Sequence, residues 1–104
     1  MSARSLPIIL APRARRDYES LLLYSLHEWG EEQQERYEAA FARAFALLSD
    51  NPNIGRAREE LYPRCRSYLV EQHIVYYEVR PRSIRVARIL HAHADARRAL
   101  RGRQ

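Results

Sequence analysis

Three residues near the C-terminus have side chains that bind metal ions in many proteins. His91, His93 and Asp95 are spaced two residues apart, so on a continuing β-strand they would share one face of a sheet. If the strand ends near His91, that geometry fails, and His91 has a structural or partner-contact role instead. We expect the second case, and therefore predict neither a metal site nor a cofactor.

A second set of residues has the chemistry required for metal-free RNA cleavage. In that reaction a base deprotonates the 2′-hydroxyl, an acid protonates the leaving oxygen, and arginines stabilise the charged intermediate. The residues available for it are Arg66, Tyr68, His73, Arg88 and His91. A structural role competes at these positions, because the arginines can pair with Asp95 or Glu78 and the tyrosine can fill the core. The sequence contains no G-x-S-x-G motif, P-loop or dinucleotide-binding fingerprint.

The basic residues are unevenly distributed along the chain. All 18 of them are arginine, and the formal net charge is +5. Residues 80–104 contain eight arginines and one acid, whereas residues 17–60 contain ten acids and four arginines. The C-terminal end therefore suits an acidic partner or nucleic acid, and the preceding half does not.

Composition and length indicate one small domain over residues 1–104. Hydrophobic residues make up 46% of the 104-residue chain, which is enough for a single core. No apolar run is long enough to span a membrane, and the N-terminus lacks a secretory cleavage pattern. We therefore expect a cytoplasmic protein that does not bind membranes. Cys65 is the only cysteine, which excludes an intrachain disulfide and a cysteine-based zinc site.

The first half of the chain predicts a helical hairpin over residues 12–50. Pro12 suits the first turn of a helix, and the apolar positions up to Trp29 follow helical spacing before Gly30 ends the helix. The second helix has an apolar stripe formed by Tyr37, Phe41, Ala44, Phe45 and Leu48. Such a hairpin needs a partner to cover its apolar face.

The second half of the chain predicts a three-stranded antiparallel meander. Apolar runs at 67–70, 74–79 and 84–91 are separated by short polar segments. The face formed by Val75, Tyr77 and Val79 is the expected core face, packed against the hairpin. With a short edge strand within 6–10, the predicted fold is α+β.

Two more predictions concern the last strand and the C-terminal end of the chain. Arg88 lies among apolar residues and must find a partner, so we predict an ion pair with Asp95. Residues 96–104 form a basic tail that has the composition for one or two helical turns on the surface. It has too little apolar surface to be held firmly, and it is expected to be flexible when free.

Four strings in this order resemble the ParE toxins of the RelE/ParE superfamily. In the first half they are LAPRARRDYESLLLYSLHEWG (10–30), with Tyr24 and Gly30 in the family positions, and LLSDNPNIGRAREEL (47–61), with Leu48, Pro52, Gly55 and Arg56. In the second half they are RSYLVEQHIVYYEV (66–79), with Arg66, Ser67, Tyr68, His73 and Tyr77, and RILHAHAD (88–95), with Arg88, Leu90, His91 and Asp95. The resemblance covers nearly the whole chain.

The resemblance implies a bacterial type II toxin that is neutralised by a small ParD-like antitoxin in a tight complex, a heterotetramer or larger. It also implies DNA gyrase as the target, inhibited by binding and without catalysis. Messenger RNA cleavage on the ribosome, as in RelE relatives, is the alternative, and its residues would be Arg66, Arg88 and His91. A third possibility is an inactive homologue that serves only as an antitoxin partner.

This chain departs from the RelE pattern in a way that favours gyrase. No aromatic residue follows Tyr77, so the C-terminal segment has no ring to stack on a base, and the RelE-like lysine cluster is absent. The expected target-binding residues are Arg88, His91, Asp95, Arg97, Arg98 and Arg101. The expected antitoxin-binding residues are Leu21, Tyr24, Trp29 and Arg85. Sequence-specific DNA binding by this chain is not expected.

Overall fold

A helical hairpin packs on a mixed β-sheet in the computed structural model, which describes residues 5–101. In chain order the elements are β1 (Ile8–Leu10), α1 (Pro12–Trp29), α2 (Glu31–Asp50), a 3₁₀ turn (Pro52–Ile54), β2 (Arg56–Ala57), β3 (Arg66–Val70), β4 (His73–Val79), β5 (Ile84–His91) and α3 (Ala96–Leu100). The predicted α+β class is confirmed. Among the described residues, no helix is both long and apolar enough to cross a membrane.

The hairpin begins and ends where its sequence signals lie. Pro12 occupies the first turn of α1, and Gly30, with φ of 94°, closes it by donating its N–H to the Leu26 carbonyl at 2.9 Å. A positive φ of this size strains any residue with a Cβ, so Gly30 allows the chain to reverse with a one-residue break. The predicted hairpin over residues 12–50 is confirmed.

The sheet has the strand order β1-β5-β4-β3-β2. The antiparallel meander of β3, β4 and β5 matches the prediction, and β1 pairs in parallel with β5 through Ile8 and Ile84. The two-residue strand β2 extends the sheet beyond the predicted strands. Its sequence, Arg56–Ala57, contains no β-branched or aromatic residue, so its strand conformation follows from pairing with β3.

The larger core lies between the hairpin and the sheet. Phe41 and Leu48 of α2 and Val75 and Tyr77 of β4 have no solvent exposure. The packing of the α2 stripe on the predicted β4 face is therefore confirmed. Half-buried residues at the margin of this core include Tyr37, Phe45 and Val79.

A smaller core lies on the opposite face of the sheet, which was not predicted to be a core face. Its buried members are Cys65, Tyr76, Ala87, Leu90 and Leu100. Leu100 belongs to α3 and is 4% exposed, so residues 96–100 are packed against the sheet. The expectation that this segment has too little apolar surface to be held firmly does not apply to residues 96–100, because Leu100 is buried and Ala96 and Ala99 pack beside it. Residues 102–104 of the predicted tail lie outside the described residues.

Tyr77 also anchors the connector between the hairpin and the meander. Its hydroxyl donates to the Pro52 carbonyl at 2.7 Å and accepts from the Gly55 N–H at 2.9 Å. A Cβ on Gly55 would lie 2.7 Å from Cε1 of the tyrosine ring, closer than carbon atoms can pack. Glycine at position 55 therefore permits the close approach of the connector to the core.

Candidate functional site

Arg88 joins three elements of the fold through a mostly buried ion pair with Asp17 of α1. Its Nε and Nη2 donate to the Asp17 carboxylate at 2.7 and 3.1 Å, and its Nη1 donates to the Ala99 carbonyl of α3 at 3.2 Å. The hydrogen bonds that Asp17 accepts raise the pKa of Arg88 above its ordinary value. The predicted pair of Arg88 with Asp95 is therefore wrong, because α1 supplies the carboxylate instead.

The sheet edge explains why Asp17 lies at this position. β1 pairs with β5 only as far as Val86, so the N–H of Ile89 faces outward with no neighbouring strand. Asp17 accepts from that N–H at 2.9 Å. An unpaired buried N–H is costly, and one carboxylate satisfies both the sheet edge and the Arg88 guanidinium.

Asp95 has a different role from the one predicted. It is the N-cap residue of α3, where its carboxylate accepts from the Arg98 N–H at 3.1 Å. β5 ends at His91, so His91, His93 and Asp95 do not share one strand face. The His91 Nδ1 instead accepts from the His93 N–H at 3.1 Å. Within residues 5–101, no group of three potential ligands has a geometry that suits a metal ion.

The side chain of Arg66 binds the connector between the hairpin and the meander. Its Nη1 donates to the carbonyl oxygens of Asn53 and Gly55 at 3.1 and 2.7 Å. Tyr68, the other β3 residue considered for chemistry, packs half-buried against the larger core. Both residues therefore have structural roles in this fold.

Three of the predicted target-binding arginines share one exposed surface. Arg97, Arg98 and Arg101 lie on or next to α3 and are exposed; we call these three residues the arginine surface. Arg97 also donates to the Glu60 carbonyl at 3.4 Å. Because α3 is only one turn long, its charges remain close together, and the capping carboxylate of Asp95 and the buried Leu100 hold the turn in place.

Three of the four predicted antitoxin-binding residues line a single cavity of about 200 Å³ near the turn that joins the two helices of the hairpin. We call it the aromatic cavity; its lining residues are Leu21, Tyr24, Ser25, Trp29, Tyr37, Gln72, His73 and His91. Trp29 and Tyr24 form an exposed rim, at 69% and 63% exposure, whereas Leu21 is 7% exposed and lies deeper. The fourth residue, Arg85, is elsewhere: it lies in mid-sheet between Ile9 and Glu78.

His73 is the central polar residue of the aromatic cavity. Its ring stacks edge-on against Tyr37 at 6.1 Å and against His91, its cross-strand partner, at 5.4 Å. Burial lowers the pKa of His73, with a further lowering by the charge of His91 and an opposing effect of Asp17. Burial and the neighbouring His91 therefore favour the neutral form of His73 over the protonated form.

Two buried polar atoms in this cavity have no hydrogen-bond partner among the described residues: Ser25 Oγ and His73 Nδ1. Ser25 was not predicted as a site residue. Its signal in the sequence is that a polar residue occupies the apolar face of α1. Tyr37 and Gln72 were also missed, because only the folded chain brings α2 and the β3–β4 turn to the end of α1.

Comparison with known proteins identifies the family by sequence. A sequence model described as the ParE toxin of the type II toxin–antitoxin system parDE matches residues 8–96. Toxin ParE1 from Mycobacterium tuberculosis, in strains CDC 1551 / Oshkosh and ATCC 25618 / H37Rv, is 34% identical over 101 residues, covering 96% of this chain and 100% of the relative. The chain therefore belongs to the ParE toxin family of type II toxin–antitoxin systems.

One solved structure supports the fold independently. It is described as the chromosomal ParDE TA system from P. aeruginosa, and it superposes with a TM-score of 0.71 at 16% sequence identity. The match covers 86% of this chain and 98% of that chain. At this level of identity the likeness concerns the arrangement of helices and strands.

Proposed function

We propose that this ParE-family toxin inhibits DNA gyrase by binding, with no catalysis of its own, and that a ParD-like antitoxin neutralises it in the cytoplasm. The observation that carries the proposal is the separation between engaged and available arginines. Arg66 and Arg88 are held by internal partners, whereas the arginine surface is exposed. Charge that faces solvent on one short helix serves recognition of an acidic or DNA-bound surface.

The geometry disfavours the ribonuclease alternative. Arg66 pairs in register with Tyr77, and His91 pairs with His73, so the two residues are separated by four positions along β4, or about 13 Å. Arg88 turns toward Asp17. An acid, a base and a charge stabiliser must converge on one phosphate, and these three residues do not converge.

Antitoxin binding is proposed on the aromatic cavity and its rim. Exposed aromatic residues around a partly buried cavity are typical anchors of a protein interface. We expect a tight complex, a heterotetramer or larger, in which acids of the antitoxin also meet arginines of the toxin. The chromosomal ParDE system that shares the fold supports the presence of such a partner.

A supercoiling assay with purified gyrase tests the target. The wild-type toxin should inhibit supercoiling or trap cleaved DNA. Replacing Arg97, Arg98 and Arg101 together by glutamine should raise the half-inhibitory concentration at least about tenfold, because the contact charges are lost. Deletion of 96–104 is a poorer variant, since it also removes the buried Leu100.

The matched control replaces three exposed arginines of α1, Arg13, Arg15 and Arg16, by glutamine and makes the same change in net charge. Inhibition that survives this control supports a specific surface. Equal losses of inhibition in both variants would show that net charge alone accounts for the effect. Cleavage of message by the wild type, lost in His91→Ala while gyrase is unaffected, would establish the ribonuclease. A wild type that binds antitoxin but affects neither target would be the inactive homologue.

A further inference from the structure

Two buried hydrogen-bonding atoms belong to residues that line the aromatic cavity. Ser25 is 3% exposed and its Oγ has no partner among the described residues, and the same holds for Nδ1 of His73. Buried polar groups are nearly always hydrogen-bonded. A hydroxyl oxygen and the Nδ1 of a neutral imidazole can both accept. The cavity therefore offers acceptors to an incoming group that carries donors.

The walls of the cavity favour a positively charged group. Trp29, Tyr24 and Tyr37 supply aromatic rings, whose faces attract cations. Glu71 is near enough to raise the pKa of Tyr37, after the larger effect of burial. No arginine lies among the described residues that line the cavity, so no guanidinium of residues 5–101 already occupies it.

Acidic residues extend around the same end of the hairpin. Glu28 lies one helical turn from Tyr24 and Ser25, on the same side of α1. Glu31 and Glu32 begin α2 nearby. The local field is thus opposite in sign to that of the arginine surface.

We propose that the aromatic cavity binds the guanidinium of an arginine side chain presented by the antitoxin. Arginine fits better than lysine because its planar group stacks on aromatic rings and its five donors can reach both acceptors. A side chain of a protein partner fits better than a free small molecule, because Tyr24 and Trp29 are 63% and 69% exposed at the rim of the cavity. These residues are apolar area for the partner's flanking residues to cover.

The identity of the partner rests on the proposed function. The cavity adds the direction in which the antitoxin segment lies on the toxin. A single antitoxin segment would place acids toward the arginine surface and an arginine in the aromatic cavity. Since complementary charges of both signs penalise the reversed alignment, this arrangement sets the direction of the bound segment.

Trp29 is the only tryptophan of the chain, so its intrinsic fluorescence reports on the cavity directly. The probe is N-acetyl-argininamide, and the controls are the uncharged isostere N-acetyl-citrullinamide and the apolar N-acetyl-leucinamide. We expect a saturable change with the arginine compound at millimolar concentration, and binding at least about fivefold weaker for both controls. Adding stoichiometric antitoxin should abolish the response to the arginine compound.

Two variants show where the arginine compound binds. Ser25→Ala should weaken binding of N-acetyl-argininamide several-fold by removing one acceptor, whereas Leu23→Ala, an exposed position of α1 that does not line the cavity, should leave it unchanged. Equal responses to arginine and citrulline compounds, tighter binding of the leucine compound, or no effect of Ser25→Ala would overturn the cationic assignment. An undiminished response in the toxin–antitoxin complex would overturn the assignment to the antitoxin. The titration contains no gyrase, so a failed supercoiling assay does not affect its outcome.

Discussion

The two faces of the sheet are held by different kinds of interaction. The hairpin face buries large side chains such as Phe41, Leu48 and Tyr77 completely. The opposite face buries a small cluster and retains α3 through Leu100, the Arg88 contact to Ala99 and the Asp95 cap. The first face thus supplies most of the stability, and the second holds the segment that carries the arginine surface.

This difference has a consequence for dynamics. A segment held by one leucine and a few polar contacts opens at a lower free energy than the global core does. Recognition residues are placed on such segments in many proteins, since local adjustment then costs little. The arginine surface can therefore be altered, or released locally, without unfolding the hairpin and meander.

Truncation of a core side chain on each face gives the largest contrast. Phe41→Ala should destabilise the protein by about 3 to 5 kcal/mol, enough to unfold a domain of this size. Leu100→Ala should cost about 2 kcal/mol, because the shallow site at the chain end can collapse around the gap. Phe45→Ala should destabilise the protein less than Phe41→Ala does, because Phe45 is only half-buried. Chemical denaturation of the three variants measures the order.

A reversed order would contradict the assignment of the main stabilising face. If Leu100→Ala were as destabilising as Phe41→Ala, the two cores would contribute equally to the stability of the fold. Hydrogen exchange offers a finer test: Leu100→Ala should accelerate exchange in residues 96–101 while the α2 amides remain protected.

Asp17→Asn should have the next largest effect, because it leaves the Arg88 charge mostly buried without its partner. Side-chain exposures of 15% and 16% place the pair between the surface and buried limits, and we expect a loss of about 2 to 3 kcal/mol. The double variant Asp17→Asn, Arg88→Gln should be less destabilised than the two single losses together. Strict additivity in this thermodynamic cycle would show that the pair contributes no coupling.

Removal of the α3 cap should have a smaller and more local effect. Asp95→Ala should cost about 1 kcal/mol, the usual value of an N-cap, and should weaken gyrase inhibition through fraying of α3. A supercoiling assay combined with thermal melting measures both. Full inhibition with a frayed α3 would mean that the arginines act independently of the helix.

The pH dependence of stability should show the smallest effect. His73 has a lowered pKa in the folded state, so the unfolded chain binds more protons near and below the ordinary histidine value of about 6.5. The free energy of unfolding is therefore highest, with respect to this histidine, above that pH. It decreases as the pH falls from there through the lowered pKa of His73 in the folded state. The groups facing His73 are Tyr37, His91 and Asp17.

Melting temperatures at neutral and mildly acidic pH test this sign. His73→Gln should flatten the decline on acidification, whereas His27→Gln, at an exposed position of α1, should leave it unchanged. A decline that persists in full in His73→Gln would assign the titration to another group.

Local sequence signals determined the helices and the meander. Pro12, Gly30 and the apolar stripe of α2 act within a few residues, and the alternation of Val75, Tyr77 and Val79 states which side of β4 is buried. Such patterns are readable because propensity and periodicity depend on near neighbours. The family resemblance followed from strings that span these same elements.

Partners distant in sequence were decided by the tertiary structure alone. Arg88 clearly required a carboxylate, but Asp17 lies 71 residues away, and Asp95 was closer along the chain. Likewise Ser25 was visible as a polar residue on an apolar face, while its cavity exists only where α1, α2 and the β3–β4 turn meet. Long-range pairing depends on how elements pack in space, and the spacing of residues along one chain carries no information about that distance.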